Sequence, residues 1–583
     1  MSTLNDGPRG EAGFTPAQPR GSLTLALPPG RGGATQAPLR MKLIRRGEPM
    51  IWLTGSALGI CILMIAGLII VILVNGLSFF WPKRLEQVTL KDGSAFLGEV
   101  ANREAIANPG QPDHRQKQRI LLRVGNRDLY GFDFKWVDED AIAKREAPRD
   151  AYFIERREYG ALLGVPVAIK EGEHALAADP AGAQRALPEL IEQAERDRHA
   201  VETIEKHEIG GINYRIEKTR LEGRRLDLIA RNEPGRDLSR ERAAVAKVVA
   251  EQQALFQAKT AQLAALMEKT GTTYVTFRTA DGGSKDLRSL DIYRAYPAND
   301  LSWLGRLAVY GGRLWEFVSG NPRESNTEGG IFPAIFGTVM MVLLMSVMVV
   351  PLGVLAALYL REYAKQGPRV RTVRIAVNNL AGVPSIVFGV FGLGFFVYFV
   401  GGGIDRMFFP EALPTPTFGT GGILWASLTL ALLTVPVVIV ASEEALAAVP
   451  RSMREASLAM GATKFQTIMR VVLPAAAPGI LTGLILAMAR GAGEVAPLML
   501  TGVVKLAPEL PLDRFFPFMH LDRKFMHLGF HIYDVGFQSP NVEAAKPMVY
   551  TTTILLLTIV VLLNLTATIV RNKLREKYKT GAF

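Results

Sequence analysis

The chain has 583 residues, a formal net charge of +12, 49% hydrophobic residues and a single cysteine, Cys61. One cysteine excludes a disulfide within the chain. A basic balance can mean nucleic acid, but here Lys and Arg flank uncharged apolar runs too long for a soluble core, so the charge reads as membrane orientation and not as nucleic-acid binding.

Residues 1–49 are rich in Gly, Pro, Arg and Ala without apolar periodicity, and are expected to form a disordered tail. The run 51–73 exceeds a signal-peptide core, so 50–75 is expected to be an uncleaved first membrane helix. Residues 82–328 are charged and soluble in character. Gln87-Val-Thr-Leu90, Arg119-Ile-Leu-Leu-Arg-Val124 and Thr273-Tyr-Val-Thr-Phe-Arg278 predict strands, with turns at Gly93 and Gly282-Gly283. Between them, Leu187, Leu190, Ile191 and Ala194 recur at helical spacing, and Asn232-Glu-Pro-Gly-Arg-Asp237 interrupts the pattern. This predicts an α+β domain carrying a helical hairpin, a coiled coil at about 184–270, on a stalk of strands. Residues 330–572 contain five further spans, at about 331–360, 375–401, 420–442, 475–503 and 549–570, followed by a tail at 573–583.

The fold class expected is therefore an α-helical polytopic membrane protein with six transmembrane helices. Arg45 and Arg46, Arg369 and Arg371, Arg451 and Arg454, and Arg571 and Lys573 mark four regions on one side, taken as the cytoplasm. Both termini are then cytoplasmic and residues 82–328 extracytoplasmic.

The segment between the fourth and fifth spans reads Arg454-Glu-Ala-Ser-Leu-Ala-Met-Gly-Ala-Thr-Lys-Phe465 and runs on to Val471-Val-Leu-Pro474. It predicts a short helix, a break at Gly461, and a second short helix ending at Pro474. Ala456, Ala459 and Met460 form one apolar face, and Phe465, Ile468 and Met469 continue it past the bend. Such a knuckle suits a groove in a partner protein.

This segment resembles the EAA loop of ABC importer permeases, in which EAA, three residues, Gly, nine residues and I-x-L-P follow one another. Glu455, Ala456, Gly461, Leu473 and Pro474 match, with Ser457 and Val471 as departures. Asn379-Leu-Ala-Gly-Val-Pro-Ser-Ile-Val-Phe-Gly389 and Ala489-Arg-Gly-Ala-Gly-Glu-Val-Ala-Pro-Leu498 resemble signatures of the PstA-type phosphate permeases, Val495 departing from the usual Thr. The resemblance covers about 330–570. It implies a type I ABC importer permease core, with Glu455, Ala456, Gly461, Phe465, Leu473 and Pro474 in the loop that docks on an ATP-binding subunit. It also implies a PstC-type second permease subunit, a PstB-type ATPase dimer carrying Mg-ATP, a PstS-type phosphate-binding protein, and a place in the inner membrane. No cofactor is expected on this chain itself.

Arg490 and Glu494 are four residues apart inside an apolar span, where ionisable groups are costly and mark pathways. With Ser385 and Asn379 they are the candidate substrate-path residues. His527 and His531 share the spacing of metal helices, but no cysteine or carboxylate set completes a site, and no metal is expected. The chain contains no G-x-x-x-x-G-K-[ST] sequence, so it is expected to be a permease subunit and not an ATPase. A carrier independent of any ATPase and a membrane-anchored scaffold acting through the hairpin are the alternative readings.

Overall fold

The computed structural model describes residues 48–106, 117–172, 174–539 and 542–579. The expected tail at 1–49, up to residue 47, and the last four residues lie outside them. Two compact units meet inside the first helix, Met1–Leu68 and Ile69–Phe583. In the first, the described part is the start of α1 (Glu48–Ser78), apolar there apart from Glu48, Thr54 and Ser56. The second holds the rest of the described chain.

Its soluble part holds eleven main strands: β1 (Leu85–Leu90), β2 (Ala95–Ala105), β3 (Gln118–Arg123), β4 (Phe134–Asp138), β5 (Ile142–Glu146), β6 (Tyr152–Arg156), β7 (Leu162–Glu171), β8 (His174–Ala177), β9 (Thr273–Arg278), β10 (Ser284–Arg288) and β11 (Ile292–Pro297). They form two antiparallel sheets, ordered β4-β3-β2-β1-β5 and β10-β9-β7-β6-β11, with β8 added beside β7. Replacing β1 to β5 by β6, β7, β9, β10 and β11 turns one order into the other, so the domain is an internal repeat. Each copy has a single 3₁₀ turn before its last strand, at Glu139–Ala141 and Ser289–Asp291. Gly98 and Gly164 occupy matching places: a Cβ there would lie 2.9 Å from the Arg123 carbonyl oxygen and 2.8 Å from that of Arg278. The sequence signal is short, Ala95-Phe-Leu-Gly98 against Ala161-Leu-Leu-Gly164 and Ile142 against Ile292, and strand propensity alone does not find it. Two amides, Asn126 buried and Asn299 half-buried, tie the copies together. Asn126 exchanges two hydrogen bonds with the Leu163 backbone, at 3.0 and 2.8 Å. Asn299 bridges Leu85 and Pro148.

The hairpin is an insertion between β8 and β9. Its helices are α2 (Pro180–Glu202), α3 (Gly210–Asn232) and α4 (Ser239–Thr270), with a π-helical stretch joining α2 to α3. The turn falls at the Pro-Gly pair. Arg242 pairs with Asp227 at 2.7 Å and Lys259 with Glu208 at 2.5 Å across it, and no residue of α4 is buried. Tyr214 anchors α3 to the connection between the last two spans, stacking on Phe515 at 4.7 Å and donating to the Phe516 carbonyl at 2.6 Å. The sequence left that anchor invisible, because both partners lie in polar loops or faces far apart.

Next comes α5 (Trp303–Ser319), then the membrane bundle: α6 (Phe332–Leu358), α7 (Pro368–Leu380), α8 (Ser385–Phe391), α9 (Ile423–Ala448), α10 (Arg451–Ala459), α11 (Leu473–Gly493) and α12 (Val542–Lys579). Among the described residues six helical stretches are long and apolar enough to cross a membrane: Met50–Ser78, Phe332–Tyr363, Ser385–Phe408, Ile423–Ala448, Lys464–Gly493 and Val542–Lys577. The third and fifth correct the sequence reading. Residues 375–384 do not belong to the third span, because α7 ends at Leu380 and the chain turns through Gly382 to Pro384, whose preceding residue disfavours helix. Residues 494–503 do not belong to the fifth, which stops at Gly493.

Helix α9 sits centrally, with 67% of its apolar stretch buried. Gly353 of α6 meets Val438, and Ser427 donates to the Met341 carbonyl, so α6 and α9 run parallel. Across α11 the small residues pair in reverse order. A Cβ on Gly479 would lie 2.5 Å from that of Ala445, and one on Gly483 2.6 Å from that of Ala441. Such small-residue grooves let helix backbones approach where no hydrophobic effect drives association. Because α6 leaves the β domain and α9 runs beside it, the 449–474 segment sits at the far end of the bundle.

His527 caps the short helix Leu528–Tyr533, His531 lies within it, and both are buried; Gly529 N–H donates to His527 Nδ1 at 3.1 Å, and the remaining ring nitrogens have no partner among the described residues. Desolvation pushes the His527 imidazole down to about 3 and that of His531 to about 4.

Two outcomes follow. Gly483→Leu forces α9 and α11 apart and should cost about 3 kcal/mol by overpacking, read as a lower Tm in detergent. Because the folded-state pKa values of the two histidines lie below the ordinary value near 6.5, the unfolded chain takes up their protons first. Stability is whole above about pH 6.5 and falls on acidification, by about 2 kcal/mol per histidine at pH 5. The drop in Tm from pH 7.5 to 5 should be smaller in His527→Gln, and an equal drop would refute the assignment.

Candidate functional site, a hinged knuckle at the end of the bundle

The far-end knuckle is built from its glycine outward. Gly461 has φ +85°, a conformation that costs an L residue about 1–2 kcal/mol, and a Cβ there would meet nothing within 4 Å. The requirement is therefore conformational and not steric. Gly461 N–H donates to the Leu458 carbonyl at 3.0 Å and Ala462 N–H to that of Ser457 at 3.2 Å, a Schellman end for α10. Three residues later the chain restarts as a helix. Thr463 Oγ1 accepts from Gln466 N–H at 3.2 Å while Gln466 Oε1 accepts from Thr463 N–H at 2.9 Å, a complete capping box.

The second helix does not stop at Pro474. Lys464–Thr467 continues through a π-helical turn, Ile468–Val472, into α11. The wider turn shifts the hydrogen-bond register just before the proline, which then sits in the first turn of α11, where a missing N–H is tolerated. The knuckle is thus fused to a membrane helix.

On the surface, Met460 is 88% exposed and Phe465 63%, with Leu458, Met469, Glu455 and Ala456 also exposed. Ile468 departs from the expected surface: it is buried in the bundle core with Leu446 and Val472. Leu473 packs against that core, and Pro474 is half-buried beside it, so neither joins the exposed face.

Contacts that the sequence did not announce hold the knuckle. Ser457 Oγ and Thr467 Oγ1 lie 2.9 Å apart, bridging the two limbs of the bend, which gives the departure at Ser457 a physical role. Arg454 pairs with Glu362 at 3.1 Å and donates to the Leu446 carbonyl at 2.6 Å. Lys464 donates to the Glu362 carbonyl oxygen, 102 residues away in the chain. Glu362 lies in the π-helical turn that ends the second span, so the knuckle is pinned to two membrane helices besides the one it is fused to. No local pattern announces a pair so distant in sequence.

The other candidate residues sit higher in the bundle. The first signature places Asn379, exposed, near the end of α7 and Ser385 at the start of α8; the second ends α11. Their packing brings the two signatures together: a Cβ on Gly389 would lie 2.7 Å from Pro497 Cα. Arg490 Nε and Glu494 Oε1 are 3.8 Å apart, but not on a shared helix face, because Glu494 caps α11 with ψ 136°. Val495 lies beside Gly529, where a Cβ would fall 2.7 Å from the Val495 Cγ2 methyl. No hydrogen bond or ion pair among the described residues joins Asn379 or Ser385 to this pair.

Fold and site together define a polytopic helical membrane protein whose bundle ends in a knuckle with an exposed apolar surface. Residues 349–576 match the family of binding-protein-dependent transport system inner membrane components. The probable ABC transporter permease YqgI of Bacillus subtilis is 30% identical over 237 residues, 40% of this chain and 74% of that protein. Its YqgH counterpart is 33% identical over 195 residues, 33% of this chain and 59% of that protein. The phosphate transport system permease protein PstA of Mycobacterium leprae is 39% identical over 171 residues, 29% of this chain and 50% of that protein. The chain therefore spans only 50–59% of the last two relatives. It belongs to the family of binding-protein-dependent transport system inner membrane components, and its membrane core is a type I permease core similar to that of PstA.

Gly461→Asn should leave stability nearly unchanged, since Asn tolerates positive φ, whereas Gly461→Val should lower it by about 2 kcal/mol. Ser457→Ala should cost about 1 kcal/mol through the lost bridge. Thermal unfolding of the three variants checks both statements.

Proposed function

We propose that this chain is one permease subunit of an ATP-driven importer that carries inorganic phosphate across the inner membrane. It would work with a PstC-type second permease, a PstB-type ATPase dimer and a PstS-type binding protein. The observation that carries this reading is the knuckle: an exposed Met460–Phe465 surface on a glycine bend, fused without a break to a membrane helix. A soluble protein gains nothing from such a surface unless a partner covers it. In this reading the knuckle end faces the cytoplasm and the β domain and hairpin face outward. ATP binding closes the ATPase dimer. The knuckle moves with it, and α11 carries the displacement to Arg490 and Glu494. The energy enters as the ATPase's different affinity for the two states of the bundle. ATP and its magnesium stay on the partner, and this chain contributes no catalytic group.

Substrate class rests on similarity to PstA and on Arg490, a cation near the point where α11 ends and the two signatures meet. Glu494 shields that cation, and moving away from it would free the guanidinium for an anion.

Met460→Glu/Phe465→Glu puts two charges on the docking face without touching the bend. Co-purification of the ATPase should fall at least about tenfold and phosphate uptake with it, at unchanged Tm. Uptake and co-purification both at wild-type level would refute the reading. Arg490→Gln should abolish uptake while ATPase binding persists, separating the pathway from the coupling.

A further inference from the structure

A second site lies at the opposite end of the bundle. A cavity of about 360 Å³ opens between the β domain, the end of α1 and the start of α12, with Asn75, Trp81, Phe134, Arg313 and Tyr550 in its wall. That volume suits a small ligand or a head group. Most of the charges around it are already paired. Glu155 takes Arg313 at 2.7 Å and Arg294 at 3.0 Å; Glu316 takes Arg323 at 2.8 Å, Glu328 takes Arg123 at 2.8 Å, and Glu543 takes Lys546 at 2.7 Å. Glu99 is left. It lines the cavity, is 7% exposed, and its carboxylate makes no hydrogen bond or ion pair among the described residues, although its charge is felt by Arg313 and Tyr296. Its oxygens open onto the cavity and are not sealed among protein atoms, so they are free to accept from an incoming donor. Lys83, also in the wall, is exposed and likewise unpaired among the described residues.

The position of the cavity is set by α5. Trp303, Leu304, Leu307 and Trp315 are 66%, 70%, 44% and 71% exposed, while Arg313 and Glu316 turn inward onto the β domain and Phe317 packs on Phe80 and Ile331. A helix with its charges inside and its tryptophans outside suits the boundary of a bilayer, where indole rings settle. Arg313 and Glu316 of that same helix line the cavity. The cavity therefore sits at head-group depth beside α1 and α12.

We propose that this cavity binds the head group of an aminophospholipid, Glu99 accepting hydrogen bonds from its ammonium group and Lys83 facing its phosphate. The aromatic wall suits a cation as well. A purely anionic head group would leave Glu99 unpaired and add repulsion. A trimethylammonium group offers no N–H for the carboxylate.

The test is native mass spectrometry of the full chain released from vesicles of equal phosphatidylethanolamine, phosphatidylcholine and phosphatidylglycerol. One phosphatidylethanolamine should be retained per chain, at least about tenfold over the other two. On the wild-type protein, stepwise N-methylation of the head group should weaken retention step by step, which needs no mutation. Glu99→Gln should abolish the preference at unchanged Tm. Equal retention of all three lipids, no loss on methylation, or an unaltered preference in a folded Glu99→Gln protein would overturn the proposal. Displacement of the lipid by an equal concentration of glycerophosphoethanolamine would assign the site to a soluble amine and overturn the lipid source.

Discussion

The contact on which the membrane part depends is the approach of α11 to α9 at Gly479 and Gly483. Side chains there would separate the helices, since a Cβ at either glycine falls within 2.6 Å of an alanine methyl. Inside a bilayer, lipid tails solvate an apolar helix as well as another helix does, so close packing and not hydrophobicity must hold the pair. That contact fixes the direction of α11 relative to α9, and the short connection between them has to reverse the chain. The reversal is the knuckle. Its shape follows from the packing of two helices and from one glycine with φ +85°.

Side-chain contacts hold this reversal in shape: the capping box, the Ser457–Thr467 bridge and the Glu362 contacts tie the two limbs of the bend to each other and to the end of α6. The π-helical turn at Ile468–Val472 lets the second limb pass Pro474 and enter the membrane as one helix. Beyond the bend, Lys464–Thr467, the π-helical turn and α11 form one continuous helix that carries Phe465 at its start and Arg490 in its last turn.

The opposite end is built by other means. Two copies of one five-strand sheet, clamped by Asn126 and Asn299, carry a charged face against α5. Burial works against ionisation of Glu155, yet Arg313, Arg294 and Arg323 together hold its carboxyl below the ordinary range. Burial raises Glu316, which has fewer cations to itself. The network joins the sheets to α5, while Tyr214 ties the hairpin to the loop at Phe515.

Six spans, the charged middle domain, the hairpin turn at Pro234-Gly235 and the knuckle glycine were all legible in the amino-acid order. Each is a local property: an apolar run, a periodicity, or a residue that alone tolerates a given φ. The breaks at Pro384 and Gly493, the burial of Ile468, the passage of the chain through Pro474 and the pairing of Glu362 with Arg454 were decided only in three dimensions. So were the repeat of the two sheets and the unpaired Glu99. Composition tells which segments leave water. Which face of a segment meets which neighbour depends on sub-ångström steric fit between residues distant in the chain, and that fit exists only once the helices and sheets have packed.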